Sequence, residues 1–136
     1  MTAILRLEAR SFGRDAWKKD LFLWYASTFP KLFLVAKKNG HMAGYCAGSM
    51  RGNSGDIDSI AVAARYKRHG IATELLHALI RRLKRSGAVS INLMVRRDNA
   101  AAIALYRSIG FVRVRTISGY YEDGAAAWRM RLFLAI

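Results

Sequence analysis

Two groups of residues in this chain have the types and spacing to do chemistry. The first is Lys67-Arg68-His69-Gly70-Ile71-Ala72, a basic turn punctuated by glycine and followed at once by an amphipathic helix. The N–H groups of a helix's first turn point outward unpaired, and the helix dipole adds partial positive charge, so such a turn is a cradle for phosphate. Gly70 lets a phosphate approach the backbone with no Cβ in the way. The second group is Asn99, Ile103 and Tyr106, spaced i, i+4 and i+7 so that they share one helical face. An amide and a phenol on one face, with an aliphatic between them, can follow a single elongated ligand. Each also has a plainer role: Asn99 suits a helix N-cap worth about 1 kcal/mol, and Tyr106 suits core packing with its hydroxyl at the edge.

The elements that must position these groups follow from periodicity and turn signals. Residues 2–10 predict a short helix with Ile4, Leu5 and Leu7 inward. A second helix is expected over 15–27, with Asp15 as N-cap and Trp17, Leu21 and Trp24 at helical spacing. Strands are expected over 32–37 and 42–50, joined by the hairpin signal Asn39-Gly40, and over 56–63 after a second turn at 51–55. The basic turn then opens a helix over 70–86 that Gly87 ends. A strand buried on both faces follows at 88–95, a helix at 99–109 stopped by Gly110, and a final antiparallel pair at 111–118 and 126–134. A strand, crossover helix and parallel strand over 56–95 thus sit in an otherwise antiparallel sheet. The fold class is α+β with a mixed sheet, not a doubly wound one, and the cradle lies at the carboxyl end of a strand, where ligands bind in such units.

Composition sets the outer bounds. A chain of 136 residues, 53% hydrophobic and 24% charged, is expected to fold as a single domain over 1–136. Cys46 is the only cysteine and the three histidines are scattered, so there is no disulfide framework and no metal-site spacing. No apolar run reaches the roughly 18 residues of a membrane span, and Met1–Leu7 lacks a secretory core. A soluble cytoplasmic protein is the default. The net charge of +14 allows a polyanionic partner. Part of it, Arg81, Arg82, Lys84 and Arg85, completes the polar side of a helix whose apolar side is Ile71, Leu75, Leu76, Leu79, Ile80 and Leu83, which also reads as a solvated face.

The order of elements, together with four motifs, resembles the GNAT superfamily of N-acetyltransferases. The motifs are the cradle at 67–72 preceded by Ser59-Ile60-Ala61-Val62; Asn99 to Tyr106 followed by Ile109-Gly110-Phe111; Gly119-Tyr120-Tyr121-Glu122-Asp123-Gly124 followed by Met130; and Leu7-Glu8 through Asp15-Ala16-Trp17. The last two are similar to the ribosomal-protein alanine and protein N-terminal acetyltransferase branch. The resemblance implies acetyl-CoA as cosubstrate. Ile60, Ala61 and Val62 would pair their backbone with its pantetheine arm. The N–H groups of Arg68, His69, Gly70, Ile71, Ala72 and Thr73 would hold its pyrophosphate. Asn99 would hydrogen-bond the pantetheine, and Tyr106 would sit beside the thioester sulfur. Glu8, Tyr120 and Tyr121 would line the substrate side, with at most one of the two tyrosines facing the pocket if the strand continues through them.

Acetyl transfer needs a neutral amine, an oxyanion partner and a proton for the departing thiolate. Tyr106 is the candidate acid, and a backbone N–H of 60–62 the oxyanion partner. The base is the departure: the branch commonly places a glutamate where this chain has Met94. Glu8, Asp58, Glu122 and strand carbonyls are substitutes, none of which stands out, since Glu8 also suits loop positioning, Asp58 a strand face and Glu122 a turn. His69 suits a phosphate-facing role better than a catalytic one. An α-amine of pKa about 8 is roughly a tenth neutral at pH 7, against well under one part in a thousand for a lysine of about 10.4, so an enzyme without an evident base is better served by an N-terminus. The expected function is therefore N-acetylation of a protein or peptide α-amine. A small-amine acetyltransferase and a non-catalytic acyl-CoA-binding or RNA-associated module are the alternatives, and a ribosome contact is one use of the charge. With a helix expected at its start, the chain is expected to lack the family's usual first strand, which would leave a sheet edge exposed and point to a homodimer, a truncated start or an added partner strand.

Overall fold

The computed structural model of the protein describes residues 2–13 and 16–134. In chain order these residues form α1 (Thr2–Phe12), α2 (Lys19–Thr28), β1 (Phe33–Lys38), β2 (His41–Arg51), β3 (Ser54–Val62), α3 (Ile71–Arg85), β4 (Ser90–Arg96), α4 (Ala100–Ile109), β5 (Val112–Ile117) and β6 (Ala127–Phe133). The strands make one sheet in the order β1-β2-β3-β4-β6-β5. Every pairing is antiparallel except β3 with β4. The mixed α+β architecture is thus the one read from the sequence, with boundaries shifted by a few residues.

The β1–β2 turn holds Asn39 and Gly40 at φ 53° and 78°. Both central residues are left-handed, the geometry that matches strand twist in a two-residue hairpin. Helix α3 lays Leu75, Leu76, Leu79 and Leu83 on the back of the sheet, joined there by Ile91, Leu93 and Val95 of β4 and by Ile103 and Tyr106 of α4. A Cβ on Gly48 would stand 2.9 Å from the Asp56 carbonyl oxygen and 3.2 Å from a Leu79 methyl. That glycine is what lets α3 ride so close to the sheet. The front carries a smaller cluster of Ile4, Leu7, Phe22, Tyr45 and Ala61 under α1 and α2.

The front departs from the periodicity argument. The second helix starts at Lys19, not 15, and the expected cap Asp15 lies outside the described residues. Trp17 precedes the helix, Leu21 and Trp24 are exposed, and Phe22 is the fully buried residue. The cause is Glu8, whose carboxylate accepts the Trp17 N–H at 2.8 Å. This bond pins the segment before Lys19 as a loop and resets the helix register. Nor is β4 apolar on both faces: Val89 is exposed, and the front carries buried Asn92, which accepts from Arg131 Nε at 2.7 Å and donates to Ser54 Oγ at 3.0 Å.

Two irregularities shape the centre of the sheet. Strands β3 and β4 pair only from Ser54–Ser90 to Ile57–Leu93; beyond that, β3 stays with β2 and β4 with β6, and the two part. At the same place the β2–β3 register slips, Ala47 facing Ser59 but Gly48 facing Ile57, so Asp58 is an extra residue bulged from β3. The bulge switches faces. Ile57 packs in the back cluster, whereas Ala61, four residues on, packs in the front one.

Candidate active site

A cleft of about 930 Å³ opens where β3 and β4 separate. Ile57 to Ile60 form one side and Leu93 to Arg96 the other. Glu8, Ser11, Phe12 and Trp17 border it on the front, Asn99, Ala102 and Tyr106 border it from α4, and Tyr120 to Asp123 complete the rim. Because Tyr106 belongs to the back cluster and Glu8 and Trp17 to the front, the cleft passes through the sheet from one face to the other.

Tyr106 keeps its ring in the core, 6.0 Å edge-on to Phe111, and is 7% exposed. Burial pushes its phenol up to about 12, with Tyr121 adding to the effect, so the group stays protonated across the working range. Asn99 is the N-cap of α4, its Oδ1 accepting the Ala102 N–H at 3.2 Å, and it borders the cleft as well. The packing and capping roles are therefore present, and both residues also face the space a ligand would fill.

Beyond the fork, the β4-side edge of β3 has no strand partner. The Ala63 N–H donates to Ala43 on β2 at 2.7 Å. Backbone groups alternate in direction along a strand, so Val62 and Ile60 turn their N–H and C=O into the gap. Ala61 turns its own toward β2, unlike the uniform pairing expected of 60–62. Past β3 the chain makes a short 3-10 turn at Ala64–Tyr66 and then the basic turn. Arg68 and Gly70 take φ 66° and 77° there. Gly70 caps α3 without a side-chain bond, and the N–H groups of residues 68–73 donate to no backbone carbonyl of the described residues. Space beside Gly70 is open, so its left-handed φ, more than clearance for a Cβ, is what calls for glycine. His69 sits outside the cleft, its Nδ1 3.3 Å from Lys38 Nζ. That places it with the basic turn and away from Tyr106.

The carboxylates differ sharply. Glu8 is 1% exposed, with Oε2 on the Trp17 N–H and Oε1 accepting from Ser59 Oγ at 3.0 Å; Ser59 Oγ in turn lies 2.9 Å from the Tyr45 hydroxyl. Burial raises its pKa, and the Trp17 and Ser59 bonds oppose that rise. Asp58 is half-buried and accepts from Ser49 Oγ at 2.6 Å. Burial raises its pKa too, with Ser49 and the Tyr25 phenol holding it down. Glu122 is an exposed loop residue. Met94 is half-buried on the cleft wall.

Tyr120 and Tyr121 both border the cleft, against the expectation of one. Strand β5 ends at Ile117, so the pair lies in a loop, ring against ring at 5.0 Å and 83°. Arg96 orders that loop: its guanidinium lies 4.5 Å above the Tyr121 ring and pairs with Asp123, whose other oxygen takes the Ala125 N–H at 3.0 Å. Ser59 and Arg96 hold the site together and were not singled out as site residues from sequence. Their partners lie 51 and 27 residues away, and no local pattern marks such contacts.

The sequence model of the acetyltransferase (GNAT) family matches residues 1–111. An N-alpha-acetyltransferase of Saccharolobus solfataricus is 46% identical over 77 residues, 56% of this chain and 46% of that protein, so the chain matches less than half of that relative's length. N-alpha-acetyltransferase RimI of Mycobacterium tuberculosis is 36% identical over 131 residues, 92% of this chain and 81% of the relative. The crystal structure of Ard1 from Thermoplasma volcanium superposes with a TM-score of 0.92 at 26% identity, covering 99% of this chain and 91% of that one.

Proposed function

This chain belongs to the acetyltransferase (GNAT) family, and from that premise we propose that it transfers acetyl from acetyl-CoA to the N-terminal α-amine of a protein or peptide. The observation that carries the proposal is the cleft through the sheet. It has a phenol on the α4 side and a rim of aromatic residues on the other, Phe12 36% and Tyr120 51% exposed. Relatives named N-alpha-acetyltransferase support the α-amine as acceptor.

Residues on this chain fit the donor. The unpaired N–H groups of 68–73 suit a pyrophosphate, and the open edge of Ile60 and Val62 suits the amides of a pantetheine arm. When bound, acetyl-CoA supplies the thioester carbonyl that the amine attacks. The N–H groups turned into the fork would face the developing oxyanion. Tyr106 would hand its proton to the departing sulfur. Glu8 would act by position: with both oxygens engaged, it joins the Trp17 loop to the Ser59 stretch of β3 and so fixes the width of the front opening.

Two partner proposals are separate from the chemistry. Arg81, Arg82, Lys84 and Arg85 are exposed on α3, a face suited to a ribosome or another polyanion; cosedimentation with ribosomes that falls steeply with salt would support this, and none at low salt would reject it. β1 and β5 are the sheet edges, and an edge can be covered by a second copy. Sedimentation velocity tests that, with a monomer at every concentration counting against it.

The acceptor is tested by release of free CoA against a panel of free peptide N-termini and a panel of polyamines, amino acids and aminoglycosides. Turnover on the peptides supports the proposal; turnover only on small amines overturns it. CoA binding with no acetylation of either panel would favour a binding module.

A further inference from the structure

Where a carboxylate is missing from β4, one stands across from it on β3. Ile57 and Leu93 are the last residues paired between these strands, so Asp58 and Met94 are the first to face each other across the fork. Both border the cleft. Met94 shares the front face with Asn92, two residues before it. Asp58 is fixed to that face by Ser49 Oγ at 2.6 Å, and Ser49 pairs with Asp56, the neighbour of Asn92. The bulge that adds Asp58 to β3 is what brings this carboxylate to the opening. The rival carboxylates are worse placed: Glu8 is 1% exposed with both oxygens engaged, whereas Asp58 is half-buried, and Glu122 is an exposed loop residue on the outer rim.

We propose that Asp58 is the proton acceptor for the incoming amine, doing from β3 what a glutamate at 94 would do from β4. This rests on the acetyl-transfer function proposed above. Asp58 takes one proton from the substrate ammonium, directly or through one water, and later releases it to solvent. The neutral nitrogen then forms the C–N bond as the C–S bond breaks. Tyr106 gives its proton to sulfur and regains one, through water, from the acylated nitrogen. One proton is released overall, as the conversion of an ammonium and a thioester to an amide and a thiol requires. The groups that face Asp58 are Tyr25 on α2, Ser49 and Arg51 on β2, and Asp56 on β3. Burial and Asp56 make its carboxyl a stronger proton acceptor than an exposed aspartate, while Ser49, Tyr25 and Arg51 restrain the effect.

The test is Asp58→Asn, assayed with a peptide N-terminus from acid to alkaline pH, beside CoA binding by calorimetry and the Asp58 carboxyl titration by NMR in the wild type. The expected result is a fall in kcat of about 100-fold or more near pH 7 that shrinks as pH passes the amine's own pKa of about 8. CoA affinity should be unchanged, and the NMR titration should lie above that of an exposed aspartate. Asp58→Asn/Met94→Glu should recover activity, since it restores a carboxylate to the same face of the fork; this also separates lost chemistry from lost folding. A variant with the wild-type pH profile, a parallel loss at every pH, or a double variant no better than Asp58→Asn overturns the proposal and leaves acetyl transfer standing. A wild type that binds CoA and acetylates no amine overturns both.

Discussion

Tyr106 is a phenol kept out of water, and that decides what it can do. With its pKa pushed up to about 12 by burial, it keeps its proton throughout the neutral range, as the proposed acid must. It therefore contributes no alkaline limb to the rate profile near neutrality. Tyr106→Phe should lower kcat by about 100-fold, within the usual range for a general acid, while the Kd for CoA measured by calorimetry stays near wild type. Full turnover would remove Tyr106 from the mechanism. Glu8 makes a prediction about stability. Its pKa is raised, first by burial, so the folded chain holds this proton more tightly than the unfolded one. Its stabilising contribution is present below the ordinary glutamate pKa and is lost as pH rises through the folded value. Glu8→Gln keeps an acceptor for Trp17 and removes the titration. The variant's Tm should thus fall less than that of the wild type over that rise in pH. Identical Tm–pH curves would contradict the assignment.

Elements meet at two glycines whose substitution separates packing from binding. Gly48→Ala puts a methyl 2.9 Å from the Asp56 carbonyl and 3.2 Å from Leu79; overpacking of this kind costs about 1–3 kcal/mol, read from chemical denaturation. Gly70→Ala meets nothing within 4 Å but must hold φ +77°, a strain of about 1–2 kcal/mol. It should raise KM for acetyl-CoA with little change in kcat, because the basic turn is remote from Tyr106. Equal losses in both would argue against a cradle role. The same contrast shows what the sequence made legible. Helix α3 and the Asn39-Gly40 hairpin announce themselves, since a 3.6-residue stripe and a paired left-handed turn are local patterns. The start of α2 does not, because it is set by Glu8 reaching to Trp17 across nine residues. The bulge at Asp58 and the fork after Ile57 leave no mark in periodicity, as both are failures of pairing between strands. Tyr120 and Tyr121 follow the same rule: a continuing strand would put them on opposite faces, but the strand ends at Ile117 and Arg96 and Asp123 hold a loop in which both border the cleft.

At the scale of the whole molecule, the sheet is both scaffold and aperture. Its back is filled by α3 and α4, its front by α1 and α2, and the gap between β3 and β4 connects the two sides. A donor gripped at the basic turn on one side and a polypeptide end arriving at the other would meet at the fork without either passing the other. On that proposal the cradle, β3 edge, Asn99 and Tyr106, distant in sequence, would serve one function. Among the described residues no helix is long and apolar enough to cross a membrane, and no group of His, Cys, Asp and Glu could hold a metal ion. The most direct test of the account is a mass-spectrometric assignment of the acetylated atom. The purified protein is given acetyl-CoA and two peptides of one sequence with an internal lysine, one with a free N-terminus and one blocked. The account predicts acetyl on the α-amine of the free peptide and none on the blocked one; acetyl on the lysine of either peptide, with a bare α-amine, would contradict it.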